Sequence, residues 1–101
     1  VIEVLRSETF ERWFDHLSDD SAVAKITIRL RRLINGNFGD VAPVGEGVSE
    51  LRIDYGPGYR IYFVRRGQEI VFLLCGGNKA TQTRDIKAAK SLAKELKEND
   101  A

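Results

Sequence analysis

At 101 residues, with 43% apolar and 31% charged residues and a net charge of +1, the chain has the length and composition of one soluble globular domain, residues 1–101. A domain of this size hides roughly 65% of the surface its unfolded chain exposes, enough for one core without staples. No apolar run reaches the roughly 18 residues of a membrane span, and no charged-then-apolar leader opens the chain. The single Cys75 lies in an apolar run, which reads as a buried core thiol in a reducing cytoplasm.

The small net charge hides segregation along the chain. Residues 1–20 sum to −4, residues 21–39 to +4 and residues 51–90 to +5. Such a distribution presents a basic patch that suits a polyanion.

Taken in order, "VIEVLR" (1–6) alternates apolar and charged residues and predicts a strand. Ser7 caps a helix that carries Phe10, Trp13, Phe14 and Leu17 at helical spacing, with Glu8 and Glu11 at its positive end. The turn "SDDS" (18–21) supplies the cap of a second helix running to about Asn35, with Gly36 at C′. Val23, Ile26, Leu30, Leu33 and Ile34 form its apolar face, and Lys25, Arg29 and Arg32 share the other. The short turn makes the two helices a hairpin.

Residues 35–50 are rich in Gly and Pro and read as loop, with room only for a short strand. Strands are predicted at 48–55, 59–66 and 69–76. The last of these, "EIVFLLCG", is continuously apolar, as in a strand covered on both faces. A final helix begins near Thr83, with Thr81 or Thr83 as its cap. Ile86, Ala89, Ala93 and Leu96 lie on one side, and Lys87, Lys90, Lys94 and Lys97 on the wet side. The order β-α-α-β-β-β-α predicts an α+β fold, an antiparallel sheet with a helical hairpin on one face. The other face is expected to be partly open, with Arg52, Asp54, Arg60 and Tyr62 pointing from it.

One His and one Cys, far apart in the sequence, make neither a transition-metal site nor a nucleophilic triad. "GEG" (45–47) and "GPG" (56–58) read as turns, not phosphate loops. The stretch "LRIDYGPGYRIYF" (51–63) folds as a hairpin that brings Arg52 and Arg60 onto one face. Two like charges so placed call for an anion between them. Asp54 as a structural partner and a bound phosphate are both open readings, because arginine offers a planar fork to phosphate. Tyr55, Tyr59 and Tyr62 offer rings for base stacking where exposed, and Tyr59 is expected to face the core. Lys79 precedes the last helix, and Arg84 in its first turn needs a partner, either Asp85 or an anion.

Two segments, "VGEGVSELRIDYGPGYRIYF" and "LLCGGNKATQTRDIKAAKSLAKEL", resemble the RelE/ParE superfamily of type II toxins, more narrowly the HigB-like addiction-module killer group. The resemblance spans almost the whole chain and implies the same antiparallel sheet with a helical hairpin. It also implies a toxin neutralised by a cognate antitoxin, often a DNA-binding protein. In the RelE branch it implies ribosome-dependent mRNA cleavage by attack of the ribose 2′-hydroxyl on the adjacent phosphate, with no metal or other cofactor. That reaction needs a base, an acid and cations for the phosphorane. By position, Arg60 matches the phosphate-stabilising arginine and Arg52 a basic strand residue that contacts RNA. Lys79 falls in the basic segment after the last strand, and Asp54 stands where relatives carry a proton-transfer candidate. Arg84, Gln82 and Arg65 are candidates for further RNA contacts.

Catalytic relatives commonly place a Tyr or His near the end of the sheet, and "GGNKATQTRDI" (76–86) supplies neither. Tyr62 or Asp54 would then serve, or the mechanism rests mainly on electrostatics. Two alternatives stand beside the nuclease: a ParE-like toxin that acts on DNA gyrase by protein binding, and a non-toxic relative that binds its antitoxin. For the nuclease, Arg60→Ala is expected to abolish toxicity at a surface-residue cost, within about 0.5 kcal/mol.

Overall fold

The computed structural model describes residues 1–99. In chain order the elements are β1 (Glu3–Arg6), α1 (Glu8–Asp15), α2 (Asp20–Ile34), β2 (Val41–Gly45), β3 (Val48–Ile53), β4 (Tyr59–Arg66) and β5 (Ile70–Asn78). A single 3-10 turn (Lys79–Thr81) then leads into α3 (Gln82–Asn99). The five strands form one sheet in the order β1-β5-β4-β3-β2. All neighbours are antiparallel except β1, which runs parallel to β5. The α+β architecture follows the expected order. The loop-rich segment contributes an additional edge strand, β2, in which Pro43 costs no interior hydrogen bond.

The predicted caps are in place at both N-terminal helices. Ser7 Oγ accepts from Phe10 N at 2.9 Å and donates to the Leu74 carbonyl, tying the start of α1 to β5. Asp19 accepts from Ser21 N at 2.9 Å and Ala22 N at 3.2 Å. Gly36, at φ 89°, lies immediately beyond the C-cap of α2. The last helix differs from expectation. Asn78 is the cap, accepting from Ala80 N and Thr81 N, and the Thr81 hydroxyl accepts from Asn78 N. A capping box thus starts the 3-10 turn, and α3 continues from it.

Two cores sandwich the sheet. On one face Phe10, Ile26, Leu30 and Leu33 of α1 and α2 pack on Leu51, Ile53, Ile61, Phe63, Val71 and Leu73. On the other, Ala89 of α3 packs with Val48, Tyr62, Leu74 and Cys75. The register shifts at Tyr62/Phe63: Tyr62 pairs with Cys75 and Phe63 with Leu73, leaving Leu74 as an extra residue in β5. This bulge lets both Leu74 and Cys75 join the α3 core. The second face is therefore not open where expected, because α3 covers its centre and Tyr62 is fully buried. Burial also pushes the Cys75 thiol up to about 12, which keeps it protonated and unreactive.

Gly76 and Gly77 allow this two-sided packing. A Cβ at Gly76 would lie 2.3 Å from the Trp13 ring, and one at Gly77 would lie 1.8 Å from Asp85 Oδ2. Helix α1 presses on the end of β5 from one face and α3 from the other. Gly76→Ala and Gly77→Ala are each expected to destabilise the fold by about 1–3 kcal/mol through overpacking. Urea denaturation measures this.

Candidate functional site

In the register of β3 and β4, Arg52 stands directly opposite Arg60, and Glu50 opposite Tyr62. Strand alternation puts all four side chains on the face that receives α3. The Glu50 carboxylate, 1% exposed, sits among them. Its Oε1 accepts from Arg52 Nε at 3.0 Å and lies 3.6 Å from Arg60 Nε. Its Oε2 accepts from the Tyr62 hydroxyl at 3.1 Å and from Gln82 Nε2 at 2.7 Å. Gln82 is the first residue of α3, so the helix start closes the cluster.

The anion between the two arginines is thus Glu50, not Asp54. Asp54 lies beyond the end of β3, exposed and outside the ion pairs of the cluster. Burial works to raise the Glu50 pKa. The hydrogen bonds from Arg52, Gln82 and Tyr62 and the charge of Arg60 outweigh it, so the carboxyl sits below its usual range. A carboxylate with so many donors is a poor base. Tyr62 is not an exposed stacking ring. Burial and the adjacent Glu50 charge push its hydroxyl well above the ordinary tyrosine range, so it is a poor proton donor as well.

The two arginines differ. Arg52 is 41% exposed and also lies 3.6 Å from Asp40 Oδ1. Arg60 is only 13% exposed. Its Nη1 donates to the carbonyls of Gly58 and Tyr59 at 3.2 Å, and its buried Nε has no hydrogen bond. Arg60 is therefore no simple surface charge, and truncating it costs more stability than the surface figure given above.

Lys79 adjoins Arg60. Its Cβ and the Arg60 Nη1 both approach Gly58, 3.4 and 3.5 Å from a Cβ placed there, and its amide lies 3.4 Å from the Pro57 carbonyl. Arg84, 78% exposed, pairs with Asp85 at 3.5 Å. The Asp85 carboxylate in turn accepts from Thr81. Arg52, Arg60, Lys79, Tyr62 and Gln82 thus meet at one end of the sheet, with Arg84 in the first turn of α3 and Asp54 on the adjoining loop. Arg65 does not join them. It stacks on Phe38 at 4.5 Å on the helical-hairpin face, about 17 Å along β4 from Arg60.

Arg29, expected on a wet basic face, is instead a strut. It donates to the carbonyls of Arg52 and Phe38 and fixes the backbone behind the cluster. Tyr55 donates to Asp19 at 2.9 Å, and Lys25 lies 5.2 Å over its ring. Sequence reasoning missed Glu50. Its signal was parity: residues 50 and 52 share a face, as do 60 and 62, and an antiparallel hairpin sets one pair against the other.

Residues 12–98 match the family of phage-derived Gp49-like proteins (DUF891). The chain belongs to that family. The family is toxin–antitoxin-like, of the RelE/HigB type. A protein of Haemophilus influenzae described as uncharacterized is 50% identical over 96 residues, 95% of this chain and 97% of its own length. The family match takes in β2 to β5 and most of α3, and so every residue of the Glu50 cluster.

Glu50→Gln removes the anion and leaves two guanidinium groups facing each other. At neutral pH it is expected to cost about 3 kcal/mol, the scale of breaking a buried pair. The pH sign follows from the lowered carboxyl. The stability it contributes is present above the ordinary carboxylate range and is lost as pH falls through the folded value. Wild-type stability should therefore fall more steeply than that of Glu50→Gln below about pH 5, as read by denaturant titration across pH.

Proposed function

We propose that the chain is the toxin of a type II toxin–antitoxin pair, a HigB-like, metal-independent endoribonuclease that cuts mRNA on the ribosome and so inhibits translation. The observation that carries this reading is the cross-strand pair Arg52 and Arg60, held at the rim by the buried Glu50 and flanked by Lys79. Two fixed guanidinium groups and an ammonium suit a phosphodiester in the ground state. They suit the more highly charged phosphorane better, which is the requirement for catalysis.

In this reading Arg52, the more exposed arginine, binds the phosphate. Arg60, held beside Glu50 and on the Gly58 and Tyr59 carbonyls, presents its guanidinium charge to the phosphorane oxygens. Lys79 and Arg84 hold the flanking backbone. Glu50 and Gln82 position the arginines and touch no substrate. Asp54, the exposed carboxylate of the adjoining loop, takes the 2′-hydroxyl proton as that oxygen bonds to phosphorus. The bond from phosphorus to the 5′-oxygen breaks, leaving a 2′,3′-cyclic phosphate, and the departing 5′-oxygen takes its proton from water. A cognate antitoxin is the expected protein partner.

Mapping of mRNA 5′ ends by primer extension after induction tests the reaction. New ends within translated codons are expected, and halted growth with intact transcripts would sink it. Lys79→Ala, at an exposed position, should lower cleavage by about 100-fold or more while the melting curve stays close to wild type. Arg52→Ala should lower cleavage as much but also lower the melting temperature, because it removes a donor to the buried Glu50. Asp54→Asn should lower cleavage without weakening RNA binding.

A second reading, a toxin that acts on DNA gyrase by protein binding, draws on one observation. Glu50 and Tyr62, which alternation puts beside the arginines, are both buried and locked to each other. Inhibition of purified gyrase supercoiling would favour it, and undisturbed supercoiling would remove it.

A further inference from the structure

Helix α3 covers the sheet unevenly. Its first half packs closely, with Asp85 and Ala89 buried. Past Ala89 the sheet-facing residues Leu92, Ala93 and Leu96 are only partly buried, and Val64 of β4 is partly exposed. Between the second half of α3 and the far end of β4 lies a groove of about 610 Å³, with Val64, Ala93 and Leu96 as its floor. Its rim is basic. Lys94 and Lys97 stand along it and are exposed, while Lys90 pairs with Glu46 at 3.5 Å. The groove lies about 17 Å along β4 from the Arg60 cluster.

We propose that this groove docks an acidic, amphipathic helical segment of a partner protein. Its apolar side chains would sit on Val64, Ala93 and Leu96, and its carboxylates would meet Lys94 and Lys97. Three features select this occupant. The groove is concave with an aliphatic floor, which a phosphate backbone would leave unfilled and which has no aromatic platform for bases. The rim charge is of one sign apart from Glu46, and Glu46 is already paired. Lys90, Lys94 and Lys97 recur at helical spacing along α3, so a helix lying beside it presents Glu residues at the same repeat. The surface is separate from the arginine cluster, and the inference does not require that the chain cleave RNA.

A fluorescein-labelled synthetic peptide of about 15 residues, with Leu on one helical face and Glu flanking it, is the probe. Its anisotropy is followed on titration with the purified full chain. Saturable binding is expected, weakened by salt and by about tenfold or more in Lys94→Glu/Lys97→Glu. The milder Lys94→Gln/Lys97→Gln should fall between that variant and wild type. A peptide with Ser in place of Leu should bind more weakly. Both lysines are exposed, so melting curves of the variants should match wild type, and growth arrest by the charge-reversed chain should persist. Arg52→Ala should bind the peptide as wild type does. The proposal is overturned if the charge reversals leave peptide affinity unchanged, or if the Ser peptide binds equally well. It is also overturned if a labelled oligouridine of similar length, and not the peptide, is the ligand those reversals release, or if the chain self-associates through these lysines instead.

Discussion

The structure turns on one buried carboxylate. Two arginines placed directly across an antiparallel pair repel each other, and like charges opposite one another on a sheet are unfavourable. Glu50 makes the arrangement tenable by sitting beside both and drawing two further donors, Tyr62 and Gln82. A buried ion cluster of this kind is weak evidence of stability, since an apolar set of similar volume often serves as well or better. What an apolar set would not do is hold two guanidinium groups at fixed separation on the rim of a fold. The same saturation that makes Glu50 a good anchor removes it as a proton acceptor.

The cluster depends on α3, α3 depends on Gly77, and α1 on the other face depends on Gly76. Gly77 has no Cβ where Asp85 sits, and Gly76 has none where Trp13 sits. The Asn78 cap and the Thr81–Asp85 hydrogen bond then fix the helix start at the end of β5. That start places Gln82 within 2.7 Å of Glu50. From Gly77 to Gln82 a run of small constraints, each local in sequence, ends in a contact spanning 32 residues. On the opposite side Arg29 reaches from α2 to the Arg52 carbonyl, so the backbone carrying the more exposed arginine is held from both faces of the sheet.

Much of this was legible from period alone. Helical spacing in residues 8–34 and alternation in β3 and β4 follow directly from which residues must be buried, and Ser7 and Gly36 punctuate as their chemistry requires. The edge strand β2 was masked because Pro43 and the flanking glycines signal loop, although Pro is tolerated at a sheet edge. The closed second face was masked for a different reason. The stripe of α3 that meets the sheet centre is thin and contains Ala89 and Ala93, a weak apolar signal that nevertheless permits close approach. With that face expected to be open, Glu50 drew no notice, Tyr62 read as an outward-pointing ring, and Asp54 stood beside a bound phosphate as a partner for the arginines. Tertiary coverage, not strand parity, separated these readings.

The small net charge does not weigh against an anionic ligand. Charges interact over about 10 Å at ordinary salt, whereas the two basic surfaces at opposite ends of β4 stand about 17 Å apart. Each presents its own local field, and the acids of residues 1–20 that cancel them in the sum lie largely on and around β1 and α1, with Asp19 committed to a cap and to Tyr55. The surfaces also differ in kind. The Arg52–Arg60 end is built of buried hydrogen bonds that fix direction, as recognition of a phosphate geometry demands. The α3 groove is built of flexible lysines over aliphatic carbon, as suits an adaptable contact with a protein segment. Fixed arginines at one end and mobile lysines at the other are what one domain needs if it is to address two different anionic partners.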